Sequence, residues 1–206
     1  MSEVKALFWD VGGVLLSNGW DHEERAAAIE HFHLDEGDFE RRHETANDAW
    51  EKGRFSMDDY LDQTVFYCPR SFSRAEFKDV VFAQSKENRG TRVVLDDLTA
   101  SGRYLLATLN NESAELNDYR IRQFDLKRNF AAFCTSCYLG VRKPGEAIYR
   151  AALGITQRAP AECIFIDDRP ANLEVPRSLG MRAIHFQDPG QLVRDLIQQG
   201  VRVAPA

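Results

Sequence analysis

The chain has 206 residues, of which 44% are apolar and 28% are charged, and its formal net charge is −6 with a pI near 5.4. This length is enough for a sizeable hydrophobic core, and the composition is typical of a globular protein rather than of a disordered or fibrous one. The negative charge argues against a general nucleic-acid or anionic-membrane partner. No run of about 18 apolar residues predicts a membrane span, and the first residues carry no signal-peptide pattern, so we expect a cytoplasmic protein.

The first predicted element is a buried strand that ends in a carboxylate. Apolar and aromatic residues occupy every position from Val4 to Trp9 except Lys5, and this run stops at Asp10 and is followed by Gly12 and Gly13. Glycines permit backbone conformations that other residues avoid, and they let a ligand approach the main chain closely. The stretch therefore predicts a site at the end of this strand.

The next segment, residues 21–86, has helical spacing and no convincing strand, and we predict about four helices in it. Ala26, Ala27, Ile29 and Phe32 can share one broad helix face. Two serines mark helix starts: Ser56 precedes a pair of aspartates, and Ser73 with Glu76 forms a capping-box pattern.

From residue 89 onward predicted helices and strands alternate, which favours parallel βαβ units with helices on both faces of the sheet. We therefore expect an α/β, Rossmann-like core made of residues 1–16 and 89–206, interrupted by an all-α insertion over residues 17–88. The predicted elements are helix 91–100, strand 104–108, helix 112–124, strand 130–137, helix 145–153, strand 163–166, helix 171–179, strand 181–186 and helix 189–199.

Polar residues gather where the predicted strands end. In open parallel sheets the ligand site lies outside the carboxyl ends of the strands. Carboxylates, a hydroxyl and a lysine at one such edge form a coherent set for handling a phosphoryl group. The residues concerned are Asp10, Thr108, Asn110, Asn111, Lys143, Asp167 and Asp168.

In this order the motifs resemble those of the haloacid dehalogenase superfamily, in its branch with a helical cap inserted after the first strand. Asp10 matches the family nucleophile and Thr108 the Ser/Thr at the end of the second strand. Lys143 matches the motif lysine, and Asp167-Asp168 matches the acidic metal-binding motif. The resemblance covers essentially the whole chain and makes residues 17–88 the cap.

The resemblance implies a hydrolase in which Asp10 attacks phosphorus and forms an aspartyl-phosphate, with Lys143 neutralising charge. It implies a Mg²⁺ cofactor, because oxygen-only ligands suit that ion. The metal contacts would come from Asp10, the Gly12 carbonyl, Asp168 and Asp167. The phosphate oxygens would be held by Thr108 and neighbouring groups, for which Gly13, Asn110 and Asn111 are the candidates.

Gly12 departs from the family pattern. Phosphatases of this superfamily carry a second Asp at this position, which protonates the leaving alcohol and activates water, a role typically worth about 10² to 10⁴ in rate. The candidates for replacing it are a metal-ordered water, an acidic leaving group, or the nearby Asp21, His22 and Glu23.

The expected function is cleavage of a small soluble phosphomonoester, such as a sugar phosphate, by a monomer or homodimer. One alternative is a metal-independent 2-haloacid dehalogenase, since those enzymes also lack the second Asp. The other is a degenerate protein that binds phosphate ligands without turnover. Asn172 either orients an acidic ligand or lies exposed, and Cys134 with Cys137, in spite of redox-motif spacing, is interpreted as core.

Overall fold

The computed structural model describes residues 2–203 and contains a five-stranded parallel sheet with the strand order β3-β2-β1-β4-β5. β1 lies in the middle of the sheet and pairs with β2 on one side and β4 on the other, with Trp9 aligned to Thr108 and Ile166. All pairs are parallel, so every strand ends at the same edge of the sheet. The strands are β1 Ala6–Trp9, β2 Leu105–Asn110, β3 Ala132–Thr135, β4 Cys163–Asp167 and β5 Arg182–His185.

Helices follow the strands in alternation and cover both faces of the sheet, which confirms the predicted α/β, Rossmann-like core. One hydrophobic cluster lies on the face of Leu7 and Trp9, and a second lies on the face of Ala6 and Phe8. The helices are α1 His22–His31, α2 Glu36–Glu51, α3 Met57–Thr64, α4 Arg74–Ala83, α5 Arg89–Ser101, α6 Ala114–Gln123, α7 Ser136–Leu139, α8 Glu146–Thr156, α9 Glu174–Ser178 and α10 Pro189–Gln198.

Helices α1 to α4 lie between β1 and α5 and surround a third hydrophobic cluster, rich in aromatic side chains. The two chain segments that join this bundle to the sheet run side by side: the Ser17 amide donates to the Lys86 carbonyl, and the Asn88 amide donates to the Leu15 carbonyl. The bundle therefore connects to the sheet through a paired, two-stranded linker.

Two local predictions were wrong. The strand predicted over residues 130–137 is only Ala132–Thr135 and continues into α7, so Cys137 lies on a short helix rather than in the sheet. The helix predicted over residues 171–179 is a 3-10 turn, Pro170–Asn172, followed by the short α9. All four cysteines are free. Cys134 lies in the core as predicted, whereas Cys137 is only partly buried; burial raises the pKa of Cys134 to about 11 and that of Cys137 to about 12.

None of the helices within residues 2–203 is both long and apolar enough to cross a membrane.

Candidate active site

Asp10 and Lys143 form the centre of the site at the carboxyl edge of the sheet. Asp10 follows β1, and the Lys143 ammonium lies 2.9 Å from its Oδ2 and 2.7 Å from Oδ2 of Asp167. All three side chains are almost fully buried. Burial would lower the pKa of Lys143, but the two carboxylates outweigh it and raise that pKa, so the lysine is charged.

Asp10 is held in place by its own surroundings. Its amide donates to the Ile166 carbonyl of the neighbouring strand at 2.9 Å, and its Oδ1 accepts from the Val11 amide at 2.8 Å. Burial raises the pKa of Asp10 well above its usual range, in opposition to Lys143. One lysine cannot balance three clustered carboxylates, so the site favours a further positive charge.

The carboxylates of Asp10, Asp167 and Asp168 bring oxygen atoms within 4.8 Å of one another, a spacing at which they could hold a metal ion. Asp167 is already occupied: it accepts from Lys143, from the Arg169 amide and from Asn172 Nδ2. Asp168 differs, because its Oδ1 is buried without a hydrogen-bond partner among the described residues. An all-oxygen set with an unpartnered buried carboxylate oxygen fits a hard divalent cation such as Mg²⁺.

Gly13 makes room for Asp168. Its φ is +75°, and a Cβ added there would lie 2.2 Å from Asp168 Oδ2. Only glycine fits both the backbone conformation and the contact. In this structure Gly13 lies against a carboxylate of the acidic cluster; the phosphate contact expected of it stays a prediction.

Among the residues predicted after β2, only Asn111 reaches the cavity. Its side chain donates from Nδ2 to the Lys143 carbonyl at 3.0 Å and accepts from the Lys143 amide at 2.8 Å. It therefore fixes the backbone that carries the lysine. Asn110 is buried. Its side chain donates from Nδ2 to Asn117 Oδ1 and accepts at Oδ1 from the Thr135 hydroxyl.

The phosphate-binding role predicted for Thr108 is not supported by its position. Thr108 lies in the interior of β2, paired with Trp9, two residues before the strand ends. Its buried Oγ1 has no hydrogen-bond partner within residues 2–203, and it does not line the cavity beside Asp10. The sheet register explains the difference, because Thr108 is level with Trp9 and Asp10 lies one residue beyond it.

That cavity has a volume of about 410 Å³ and lies between the sheet edge and the bundle of α1 to α4. Its wall is mostly charged. Arg25 is paired with Glu40, Arg120 with Glu112, and Arg142 with Glu51. Asp21, one of the candidates for replacing the missing acid, lines the cavity in an ion pair with Arg169, whereas His22 and Glu23 are exposed and do not.

Sequence reasoning missed two groups on this wall. Glu112 follows Asn111 in the loop after β2, so the rule that placed Asn111 at the edge could have found it. His43 on α2 gave no signal, because its position depends on how the bundle packs. Its Nδ1 forms a hydrogen bond of 2.7 Å with the Tyr60 hydroxyl, and that hydroxyl accepts from Trp20 Nε1 at 2.8 Å.

The comparison with known families decides the classification. Residues 4–180 match the family model described as haloacid dehalogenase-like hydrolase. The chain belongs to this family. It is therefore a hydrolase of the haloacid dehalogenase-like group, as its motifs predicted.

The curated relatives that the chain matches are named for different hydrolase activities. A 72-residue segment, 35% of the chain, is 39% identical to flavin mononucleotide hydrolase 1 of Arabidopsis thaliana and covers 29% of that protein. A 131-residue segment is 28% identical to bifunctional epoxide hydrolase 2 of Rattus norvegicus and covers 24% of it. The chain thus matches about a quarter of the length of these curated relatives.

Solved structures show the same fold. The family enzyme bt-2542 of Bacteroides thetaiotaomicron has a TM-score of 0.77 at 20% identity, over 90% of this chain and 95% of that one. The same enzyme has also been solved in complex with magnesium and inorganic phosphate, with a TM-score of 0.72 over 89% and 94% of the two chains.

Proposed function

We propose that this hydrolase is a Mg²⁺-dependent phosphohydrolase that cleaves a small phosphomonoester through an aspartyl-phosphate on Asp10. The observation that carries the proposal is the cluster of Asp10, Lys143, Asp167 and Asp168, of which Asp10 and Lys143 line a polar cavity. A metal-independent dehalogenase has no need of an acidic cluster with a free oxygen. The neighbour solved with magnesium and inorganic phosphate supports the same chemistry.

The chain's own groups account for the first step. Asp10 is held at the end of a central strand with one oxygen on the Val11 amide, so its carboxylate faces the substrate in a fixed orientation. Lys143 bridges Asp10 and Asp167 and keeps positive charge beside the incoming phosphoryl group. Asn111 secures Lys143 by two hydrogen bonds to its backbone.

Asp10, Asp168 and the Gly12 carbonyl would hold the metal ion, with Asp167 behind them. When bound, Mg²⁺ would neutralise the carboxylates and the phosphate charge. Asp167 is assigned the supporting position because Lys143, Arg169 and Asn172 already occupy its oxygens. Asp168 is assigned the direct contact because its Oδ1 has no protein partner within the part of the chain described.

Residues 17–88 would act as a cap over this site. The α1 to α4 bundle has its own hydrophobic cluster and connects through the paired linker, and it contributes one wall of the cavity. A cap of this kind excludes water during attack and sets the choice of substrate. The charged wall favours a small, hydroxyl-rich phosphomonoester such as a sugar phosphate over an apolar one.

The test is release of inorganic phosphate from 4-nitrophenyl phosphate and a panel of sugar phosphates, with Mg²⁺ and with excess EDTA. We expect turnover that requires the metal and is lost in Asp10→Asn. Chloride release from 2-chloropropionate that survives EDTA would instead establish the dehalogenase. Phosphate-ligand binding without turnover would identify the degenerate binding protein.

A further inference from the structure

Gly12 leaves the proposed reaction without the usual proton-transfer residue, and the structure places another carboxylate near that gap. A Cβ added to Gly12 would lie 3.4 Å from Asn18 Oδ1 and 3.7 Å from Arg120 Nη1. An acid at position 12 would therefore extend toward the Arg120 guanidinium. That guanidinium already pairs with a carboxylate, because Arg120 Nη1 lies 3.2 Å from Oε2 of Glu112.

Glu112 and Arg120 form a buried ion pair. Arg120 is 1% exposed and Glu112 is 7% exposed. Arg120 also donates from Nε to the Ser85 hydroxyl at 3.1 Å and from Nη2 to the Ser17 carbonyl at 3.0 Å, so both linker segments fix it.

The Glu112 carboxylate is equally constrained. Its Oε1 accepts from the Ser113 amide at 3.0 Å, and its own amide donates to the Ser136 hydroxyl at 3.0 Å. The Glu112 carboxylate fits in its position because residue 19 is glycine: a Cβ on Gly19 would be 2.4 Å from Glu112 Oε2.

Glu112 also has access to substrate, because it lines the same cavity as Asp10, Gly12 and Lys143. Other acids on the wall fit the role less well. Glu51 belongs to the cap and pairs with Arg142, and Asp21 is half-exposed in its pair with Arg169.

We propose that Glu112, held by Arg120, is the proton-transfer residue that takes the place of the second aspartate missing at Gly12. This inference rests on the proposed phosphohydrolase function. In the first half-reaction Asp10 forms a bond to phosphorus, the bond from phosphorus to the leaving oxygen breaks, and protonated Glu112 gives its proton to that oxygen. In the second, ionised Glu112 takes a proton from water as the water oxygen bonds to phosphorus. The bond between phosphorus and Asp10 breaks, and phosphate leaves.

The titration of Glu112 suits both halves of this cycle. Burial raises its pKa to about 7, against the opposing effect of Arg120. The other charged or titratable groups that face it are Glu51 on α2, Glu24 on α1 and Cys137 on α7. A carboxyl group with a pKa near the working pH can both give and accept a proton.

The decisive experiment compares two substrates of nearly the same shape, phenyl phosphate and 4-nitrophenyl phosphate, in the full chain with Mg²⁺. Nitrophenolate is a stable anion and leaves without being protonated, whereas departure of the more basic phenolate depends much more on proton donation to its oxygen. In Glu112→Gln we expect kcat/KM to fall by about 10² to 10⁴ for phenyl phosphate and by less than about tenfold for 4-nitrophenyl phosphate. The variant should also release a burst of one equivalent of nitrophenolate, because water attack on the aspartyl-phosphate is slowed.

Matched variants separate proton transfer from structural damage. Glu51→Gln, which removes the acid of a partly exposed arginine pair on the same wall, should change kcat/KM for both substrates by the same factor. Glu112→Gln combined with Gly12→Asp should recover phenyl phosphate cleavage by at least about tenfold, because a Cβ at position 12 meets no atom closer than 3.4 Å and lies 3.7 Å from Arg120 Nη1.

An equal loss for both substrates in Glu112→Gln, with no burst, would overturn the assignment. If that variant fails to fold, Glu112→Asp keeps the charge beside Arg120 and decides the question by the same ratio of substrates. Failure of the phosphohydrolase proposal is distinct, since the unmodified protein would then cleave neither ester faster than Asp10→Asn does.

Discussion

Gly13 is the residue whose replacement most directly tests the acidic cluster. An alanine Cβ there would lie 2.2 Å from Asp168 Oδ2 and would also be strained at φ +75°. The Asp168 carboxylate must then move away from Gly13 and out of its present place in the acidic cluster. We expect Gly13→Ala to raise the Mg²⁺ concentration for half-maximal cleavage of 4-nitrophenyl phosphate by about 10- to 100-fold, the usual effect of disturbing a metal site's support.

The control for Gly13→Ala is Gly140→Ala. Gly140 has the similar φ of +70° but nothing within 4 Å of an added Cβ. It therefore reports the cost of the backbone conformation alone and should leave the Mg²⁺ requirement unchanged. If both variants behave alike, Gly13 does not act through Asp168.

His43 predicts a pH dependence of stability. Burial, with Arg25 adding to it, lowers the pKa of His43 to about 4, whereas an unfolded histidine has a pKa of about 6.5. Between these values the unfolded chain binds the extra proton, so stability is complete above about pH 6.5 and falls as the pH drops toward 4. At about pH 5 this histidine should cost the native state about 1–2 kcal/mol relative to about pH 7.5.

Urea unfolding at both pH values measures that difference in the unmodified protein and in His43→Gln, whose side-chain amide can still hydrogen-bond with the Tyr60 hydroxyl. Between about pH 7.5 and pH 5, the free energy of unfolding of the variant should fall by about 1–2 kcal/mol less than that of the unmodified protein. An identical loss in both proteins would show that His43 is protonated in the native state.

The site residues that could be predicted from sequence are those that lie at the end of a strand or directly after it, because the apolar run of that strand fixes their position. Asp10 and Asp167 sit at or directly after strands that are evident as apolar runs, and the structure brings them to one lysine. Thr108 was misplaced because the apolar run gives the strand but not its last residue, and the observed strand continues to Asn110. Asn172, left open between two readings, donates to both oxygens of Asp167.

Among the secondary-structure elements, the capping patterns at helix N-termini were the clearest local signal in the sequence. The capping box of Ser73 and Glu76 is present: the Glu76 amide donates to Ser73 Oγ, and the Ser73 amide donates to the Glu76 carboxylate. We expect Ser73→Ala to lower the free energy of unfolding by about 1 kcal/mol, measured by urea denaturation. Ser71→Ala, an exposed serine two residues earlier outside any helix, should change it by less than about 0.5 kcal/mol.

Helix faces were less predictable than helix starts. Ile29 and partly buried Phe32 pack in the bundle as expected, but Ala26 and Ala27 are exposed and Arg25 and Ala28 are buried in their place. Arg25 can be buried because Glu40 of the next helix pairs with it through two hydrogen bonds. A partner from another helix cannot be found from the periodicity of one helix.

At the scale of the whole molecule, the turn after α2 docks the bundle on the sheet. Ser136 Oγ donates to the Glu51 carbonyl at 2.7 Å, and the Met57 amide donates to Glu115 Oε1 at 2.7 Å. Between these contacts lies Gly53, where an added Cβ would be 2.2 Å from the Cys137 carbonyl oxygen. The turn can therefore sit this close to α7 only because residue 53 has no side chain.

Gly53→Ala should lift this turn and widen the cavity on its cap side while leaving the Asp10 cluster in place. We expect kcat/KM for the best sugar phosphate to fall by about 10- to 100-fold, since small displacements of a positioning element have costs of this size, and small-angle X-ray scattering should show a larger radius of gyration. Gly102→Ala is the matched control, because Gly102 has a φ of +61° with nothing within 4 Å of an added Cβ. It should lose about 1 kcal/mol of stability with kcat/KM unchanged. Equal kcat/KM values for the two variants would mean that the docked turn contributes nothing to substrate cleavage and that the cap's position over Asp10 is set elsewhere.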